Sequence, residues 1–325
     1  MEKERFEKYL QDCRFNDLDT DITRPDFRFN INGVDCVPRG EIVAVAGKPG
    51  VGKSTALAMF VGVLLGRSDF AGIRGISLCK NVLWIDTEKG AFSIMQKMKI
   101  LRNIANINDG MTPEDHGIDI FAIRSISTED RLDFVKDVAG RKDYDVIVID
   151  GIFDLTKDPD KNYIPVIDLL KKLADSGASV FAMLHTNKQS DDDNMRYALG
   201  TELQRVYTTR FTVRYNDKKG CNLITHDKSN DSTLAPAVCF QFRADGMVEP
   251  FMQESKTNAK VDSSIKDFET ILKGGVILSH TELTEKVMAV ANIKERGAIE
   301  RIAKGVERGY LGKDSDGNYY LKNWQ

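Results

Sequence analysis

Gly47-Lys48-Pro49-Gly50-Val51-Gly52-Lys53-Ser54 follows the spacing GxxxxGK[ST], and the rest of the chain is best read outward from it. Before it runs Ile42-Val43-Ala44-Val45-Ala46, a short apolar segment of the kind that forms one buried strand. After it, the apolar stretch Leu57 to Leu65 predicts a buried helix and is too short to span a bilayer. Strand, glycine-rich turn and helix in that order point successive backbone N–H groups, and the positive end of the helix dipole, at one place. That is how a polypeptide cradles phosphate. In such a loop Lys53 faces the β- and γ-phosphates and Ser54 ligates Mg²⁺, while Gly47, Lys48, Pro49, Gly50, Val51, Gly52 and Thr55 line the cradle. A nucleotide bound with Mg²⁺ is the expectation.

Further apolar runs repeat the alternation: Val82-Leu83-Trp84-Ile85, Ile118 to Ile123, Val146-Ile147-Val148-Ile149 and Val180 to Leu184. Between them, Phe92 to Ile104 and Ile164 to Leu173 place apolar residues three and four apart, as packed helices do. From about Glu41 to Leu184 the chain therefore predicts an α/β fold, a mainly parallel sheet with flanking helices. After Gly200 the runs shorten. Asp217-Lys218-Lys219-Gly220 predicts a hairpin turn between Phe211 to Tyr215 and Asn222 to Thr225, which adds antiparallel strands at the sheet's edge.

Two carboxylates stand at strand ends. Asp150 closes Val146 to Ile149, where a strand aims a carboxylate at the Mg²⁺ shell. Gly151 follows it and cannot activate water, so a base must come from another strand. Glu88, in Ile85-Asp86-Thr87-Glu88, is the candidate.

The 325 residues are 42% hydrophobic and 29% charged, enough apolar material for a large core domain plus a smaller module. A formal charge of −3 means that any nucleic-acid contact must come from local basic patches. Cys13, Cys36, Cys79, Cys221 and Cys239 form no CxxC pair, which argues against zinc and against a disulfide framework. With no apolar run at Met1-Glu2-Lys3-Glu4-Arg5, a reducing cytoplasm and no membrane partner are the expectations.

Taken in order, the phosphate loop, Asp86-Thr87-Glu88, Asp150 without a following Glu, and a strand ending in His185 resemble the RecA-like ATPases. Within them the chain is most similar to the RepA-like plasmid helicases and related ATPases of bacterial mobile elements, over about Phe29 to Val248. The resemblance implies ATP as the nucleotide, Glu88 as general base and His185 as a switch residue sensing the γ-phosphate. Thr186-Asn187-Lys188 would lead into a pore-facing loop, Lys188 to Leu199, that contacts single-stranded DNA through Lys188 and Arg196. The acidic tip Asp191-Asp192-Asp193 opposes such a contact. Self-association into a ring or filament is also implied, with a neighbour's cation completing each site; Arg210 and Lys228 are the candidates. Phe27 to Asn32 is a candidate wall for the base.

The expected organisation is an ATPase domain over 1–252, a polar linker over 253–263 and a small domain over 264–325. In the last segment, Thr281 to Ala291 and Gly297 to Val306 have helical spacing, and a hairpin turns at Asp316-Gly317. This resembles a winged helix-turn-helix. Its second helix would carry Lys294, Arg296, Arg301, Lys304 and Arg308 to DNA, but Glu295, Glu300 and Glu307 interleave, so a protein-docking helix fits equally. Two functions follow. One is a DNA-associated ATPase of helicase or translocase type, serving plasmid or mobile-element replication or mobilisation. The other is a nucleotide-gated regulatory switch, binding DNA or protein, with slow turnover. A P-loop kinase would need an arginine-rich lid, and none is evident.

Overall fold

A computed structural model of the chain describes residues 3–12, 26–107, 117–187, 194–251, 263–273, 276–307, 310–314 and 317–321, with backbone alone at 12, 263–266 and 307. The chain forms two compact units, Met1–Phe251 and Met252–Gln325.

The first unit begins with α1 (Lys3–Asp12), the hairpin β1 (Phe27–Ile31) and β2 (Val34–Pro38), and β3 (Ile42–Gly47), which runs into α2 (Lys53–Gly66). Short strands β4 (Asp69–Phe70) and β5 (Ile73–Gly75) precede β6 (Val82–Asp86), α3 (Ala91–Ala105), β7 (Ile118–Ala122) and α4 (Thr128–Ala139). Then come β8 (Val146–Asp150), α5 (Ile164–Asp175), β9 (Ser179–His185) and α6 (Tyr197–Val206). Strands β10 (Thr209–Asn216), β11 (Cys221–Ser229), β12 (Val238–Phe242) and β13 (Val248–Pro250) finish the unit.

Among the described residues the central sheet has nine strands in the order β13-β12-β11-β10-β3-β9-β8-β6-β7. From β7 to β10 the pairings are parallel, and β11, β12 and β13 extend that edge in antiparallel hairpins. The inner parallel strands β3, β6, β8 and β9 are buried on both faces, and their alternate side chains feed two separate cores. Val43, Val45, Trp84, Val148 and Phe181 pack with α2 and α3, while Ala44, Leu83, Ile149, Val180 and Ala182 pack with α4, α5 and α6. α2 is apolar around its whole circumference because it is enclosed: sheet β2-β1-β5-β4 covers the side away from the central sheet, and α3 lies alongside.

Arg28 ties the small sheet to the large one. Its guanidinium, 1% exposed, donates to Ser179 Oγ (3.1 Å), Ser77 Oγ (3.2 Å) and the carbonyl oxygens of Leu78 (3.4 Å) and Asp145 (2.8 Å). Such burial is tolerable because the donors are satisfied.

Two segments differ from the sequence reading. Phe27 to Ile31 is strand β1, with Phe27, Phe29 and Ile31 buried in the core, so it forms no wall of the cavity described below. The expected loop through Leu199 ends early: α6 starts at Tyr197, burying Leu199 and Leu203. Gly200 and Thr201 mask this helix by propensity. At Gly200 a Cβ would come within 2.8 Å of the Met195 Cβ, so close packing demands the glycine there.

In the second unit α7 (Ser263–Ile271), α8 (His280–Ala291) and α9 (Glu295–Glu307) precede the hairpin β14 (Leu311–Lys313) and β15 (Tyr319–Leu321). Phe268, Leu272, Leu283, Val287, Ala298 and Ile302 are in its own core. α8 starts at His280, one residue before the Thr281 of the sequence reading, because Ser279 and Glu282 form a reciprocal capping box. Residues 253–262 of the expected linker, Lys188, Asp191 to Asp193, Arg308 and Asp316 lie outside the described residues. Among those described, no helix is long and apolar enough to cross a membrane.

Candidate active site

Four parallel strands, β3, β6, β8 and β9, end together, with Gly47 beside His185 and Asp86 beside Asp150 in register. Carboxyl ends of parallel strands are where an open α/β sheet binds its ligands. The loop leaving β3 turns with Gly50 and Gly52 at φ 80° and 84°, and a Cβ on Gly50 would meet nothing within 4 Å, so the cradle is open above it. Asn222 of β11 holds the loop through a 2.9 Å bond from Nδ2 to the Val51 carbonyl.

The Lys53 ammonium uses its three protons on Gly47 O (3.0 Å), Lys48 O (2.9 Å) and His185 Nδ1 (3.1 Å). That contact makes Nδ1 the acceptor and leaves the His185 proton on Nε2, 3.4 Å from Glu88 Oε1. Lys53, His185 and Glu88 are therefore one linked chain. Burial brings the Lys53 ammonium down to about 8, against the raising effect of Glu88 and Asp150. The hydrogen bond from His185 holds the Glu88 carboxyl below its usual range, so Glu88 is ionised at neutral pH.

Gly151 makes room for this chain. It sits at φ 110°, and a Cβ there would overlap Thr87 Oγ1 and lie 3.3 Å from Glu88 Oε1. A carboxylate-bearing residue in that place would occupy the space that Glu88 fills from β6.

Ser54 Oγ donates to Asp150 Oδ1 at 2.9 Å. The other oxygen, Oδ2, accepts from Lys97 Nζ at 2.6 Å, and the same ammonium donates to Asp86 Oδ2 at 2.5 Å. Asp86 Oδ1 takes the backbone N–H groups of Glu88 (3.1 Å) and Lys89 (2.7 Å) and so fixes the turn that presents Glu88. Burial pushes the Asp150 carboxyl up, opposed by Lys97, while the two carboxylates outweigh burial at Lys97 and raise its ammonium. Among the described residues no cluster of three or more His, Cys, Asp or Glu could by itself hold a metal. A hydroxyl and a carboxylate are nonetheless the hard oxygen donors suited to Mg²⁺ arriving with phosphates, and that pair is in place at Ser54 and Asp150.

A cavity of about 650 Å³ lies over these groups. Lys53, Ser54, Thr55, Glu88, Lys97 and His185 line its polar end, and Ile100, Phe242 and Gly246 give it an apolar side. The sequence reading missed Phe242 and Lys97. Lys97 does carry a signal, since it falls on the buried stripe Ile94, Met98, Leu101 of α3, where an unpaired charge would be costly.

The remaining candidates lie apart from this group. Lys228 Nζ is 3.1 Å from the Tyr207 carbonyl and 3.4 Å from that of Gln204, over the Tyr207 ring, so its charge closes the end of α6. Arg210 Nε is 3.9 Å from Asp227. Arg196 donates from Nε to Thr186 O (2.8 Å) and from its backbone N to His185 O (3.1 Å), which pins the base of the loop to the end of β9. On α9, Arg301 pairs with Asp267 of α7 (2.7 Å) and Lys304 with Glu300 (2.8 Å), while Lys294 and Arg296 stand at its first turn.

The sequence profile described as AAA domain matches residues 4–191, more than half of the chain. No curated protein matches it. Among solved structures, a KaiC-like protein of the hyperthermophilic archaeon Pyrococcus horikoshii OT3 shares 15% identity at a TM-score of 0.50, covering 70% of this chain and 99% of its own. The flagellar accessory protein FlaH of Methanocaldococcus jannaschii shares 14% identity at a TM-score of 0.50, covering 67% of this chain and 92% of its own. At such identities the likeness establishes a common RecA-like α/β fold.

Proposed function

The chain belongs to the AAA domain family, a P-loop NTPase class, and from that premise we propose that it hydrolyses Mg-ATP at the ends of β3, β6, β8 and β9. The observation that carries this reading is the continuous Lys53–His185–Glu88 chain beside the Ser54–Asp150 pair. The loop amides and Lys53 hold the β- and γ-phosphates, and Ser54 and Asp150 hold Mg²⁺, which when bound neutralises charge on the phosphoryl oxygens. Glu88 takes a proton from the attacking water, whose oxygen bonds to the γ-phosphorus as the bond to the bridging oxygen breaks and ADP leaves. His185 donates from Nε2 to Glu88 in the free protein, and a γ-phosphate oxygen competes for that proton. That competition makes His185 the sensor of nucleotide state.

The sensor is joined to a candidate DNA loop. His185 ends β9, and Thr186 and Met195 bridge two residues into the stem of the segment 188–193. Release of His185 from Glu88 would therefore move the stem that Arg196 clamps. With the resemblance of the sequence to the RepA-like plasmid helicases, this leads us to read the protein as a DNA-associated oligomeric ATPase of helicase or translocase type, with 264–325 as a winged-helix module, serving a plasmid or mobile element. Arg210 is the better candidate for a cation supplied to a neighbouring site, since Lys228 closes its own helix.

A second reading, a nucleotide-gated regulatory switch, is favoured by the pairing of Arg301 and Lys304 within the second unit, which leaves α9 less charge for phosphate. Steady-state phosphate release without DNA, with single strands and with duplex separates the two. Several-fold stimulation by single strands supports the motor; slow release indifferent to every DNA supports the switch.

A further inference from the structure

Lys97 occupies the space between two buried carboxylates at the place where a divalent cation is expected. Its ammonium touches Asp86 Oδ2 at 2.5 Å and Asp150 Oδ2 at 2.6 Å, and Asp86, Asp150 and Lys97 are 0%, 2% and 6% exposed. Two adjacent buried carboxylates without a cation repel one another, and one of them takes up a proton or a metal ion. α3 supplies a covalently attached cation instead. It approaches Asp150 on the oxygen that Ser54 does not use, so both oxygens of Asp150 are occupied without metal, by Ser54 on one side and Lys97 on the other. Through Asp86 the same ammonium also steadies the turn whose N–H groups present Glu88.

We propose that Lys97 is a positioning residue that acts as a resident counter-ion: it keeps the Asp86–Asp150 pair assembled and closed to free divalent cations, so that the metal enters only with nucleotide. The physical basis is charge. With Lys97 present the pair and its ammonium carry one net negative charge, and two charge-assisted hydrogen bonds must loosen before a metal ion gains an Asp150 oxygen. Phosphate oxygens of an incoming nucleotide complete the coordination sphere that the protein alone leaves short. Lys97→Met leaves the two carboxylates without their ammonium and frees Asp86 Oδ2 and Asp150 Oδ2. The inference rests on the assignment of Ser54 and Asp150 to the metal.

The test is Mn²⁺ binding, read from the loss of the free-ion electron paramagnetic resonance signal, with the full chain, with and without ADP. The expected result is weak Mn²⁺ binding by the wild type alone and strong binding with ADP. Lys97→Met binds Mn²⁺ alone at least about ten-fold more tightly than the wild type, Lys97→Arg behaves as the wild type, and adding Asp150→Asn to Lys97→Met removes the gain. Equal nucleotide-free affinity in wild type and Lys97→Met overturns the proposal while leaving the metal assignment standing if ADP still promotes binding. No ADP-promoted binding in any form overturns both. Should Lys97→Met not fold, the wild type decides: millimolar Mg²⁺ alone leaves its melting temperature unchanged, and a rise of several degrees overturns the proposal.

Discussion

Glu88 has each oxygen in a different electrostatic setting, with His185 Nε2 3.4 Å from Oε1 and Lys89 Nζ 3.7 Å from Oε2. His185 also touches Lys53, so the two residues proposed to hold phosphate and to activate water share one imidazole. The Lys53 ammonium, brought down by burial to about 8, gives a pH dependence with a definite sign. Below that value the free protein carries the charge that phosphate needs; above it the charge is lost. Nucleotide affinity should therefore be level below pH 7 and fall by up to about ten-fold per pH unit above 8, a slope that Lys53→Arg removes. Titration with a fluorescent nucleotide between pH 6 and 9 measures this, and a flat wild-type profile contradicts it. Lys53, Ser54, Asp150, Glu88 and His185 were all legible in sequence because each sits at a strand end or in a spaced motif. Lys97 was not, because its meaning depends on two carboxylates 11 and 53 residues away, brought together by the sheet register.

At the scale of elements, the exit of β8 is the most constrained point. Thr87 Oγ1 lies 2.8 Å from the Gly151 carbonyl and 3.0 Å from Asp154 Oδ2, so β6 and β8 are laced together just where Glu88 departs. Gly151→Ala adds a methyl group into Thr87 at φ 110° and should lower stability by about 1–3 kcal/mol, with hydrolysis reduced further because Glu88 is displaced. Thermal melts and phosphate release on one preparation check this, and an unchanged variant would show that the turn has slack. Strands β3, β6, β8 and β9 were foreseen nearly to the residue, since doubly buried parallel strands are continuous apolar runs. Strand β1 was misread as a wall because Phe27, Phe29 and Ile31 alternate with polar residues, a pattern that does not say which sheet receives them. α6 was hidden by Gly200, whose packing against Met195 is a tertiary fact.

For the whole molecule, a second unit with a core of its own, apart from the two of the first, means separable stabilities. A chain ending at Phe251 should fold and bind Mg-ATP within about three-fold of full length, because every residue lining the cavity precedes that point. Loss of nucleotide binding on truncation would show that the second unit contributes to the site. For a division into a large and a small domain the sequence offers only composition and the polar stretch near 253, and on the function of the small unit it is silent, because α9 mixes charges that only tertiary contacts, such as that of Arg301 with Asp267, sort. The decisive measurement is a paired one on wild type, Lys53→Ala and Glu88→Gln: nucleotide binding at equilibrium, and phosphate release in a single turnover. Glu88→Gln should bind Mg-ATP as the wild type does yet release phosphate about 10² to 10⁴ times more slowly, while Lys53→Ala loses binding. Phosphate release by Glu88→Gln at the wild-type rate would contradict Glu88 as the base and, with it, the Lys53–His185–Glu88 chain as the catalytic centre.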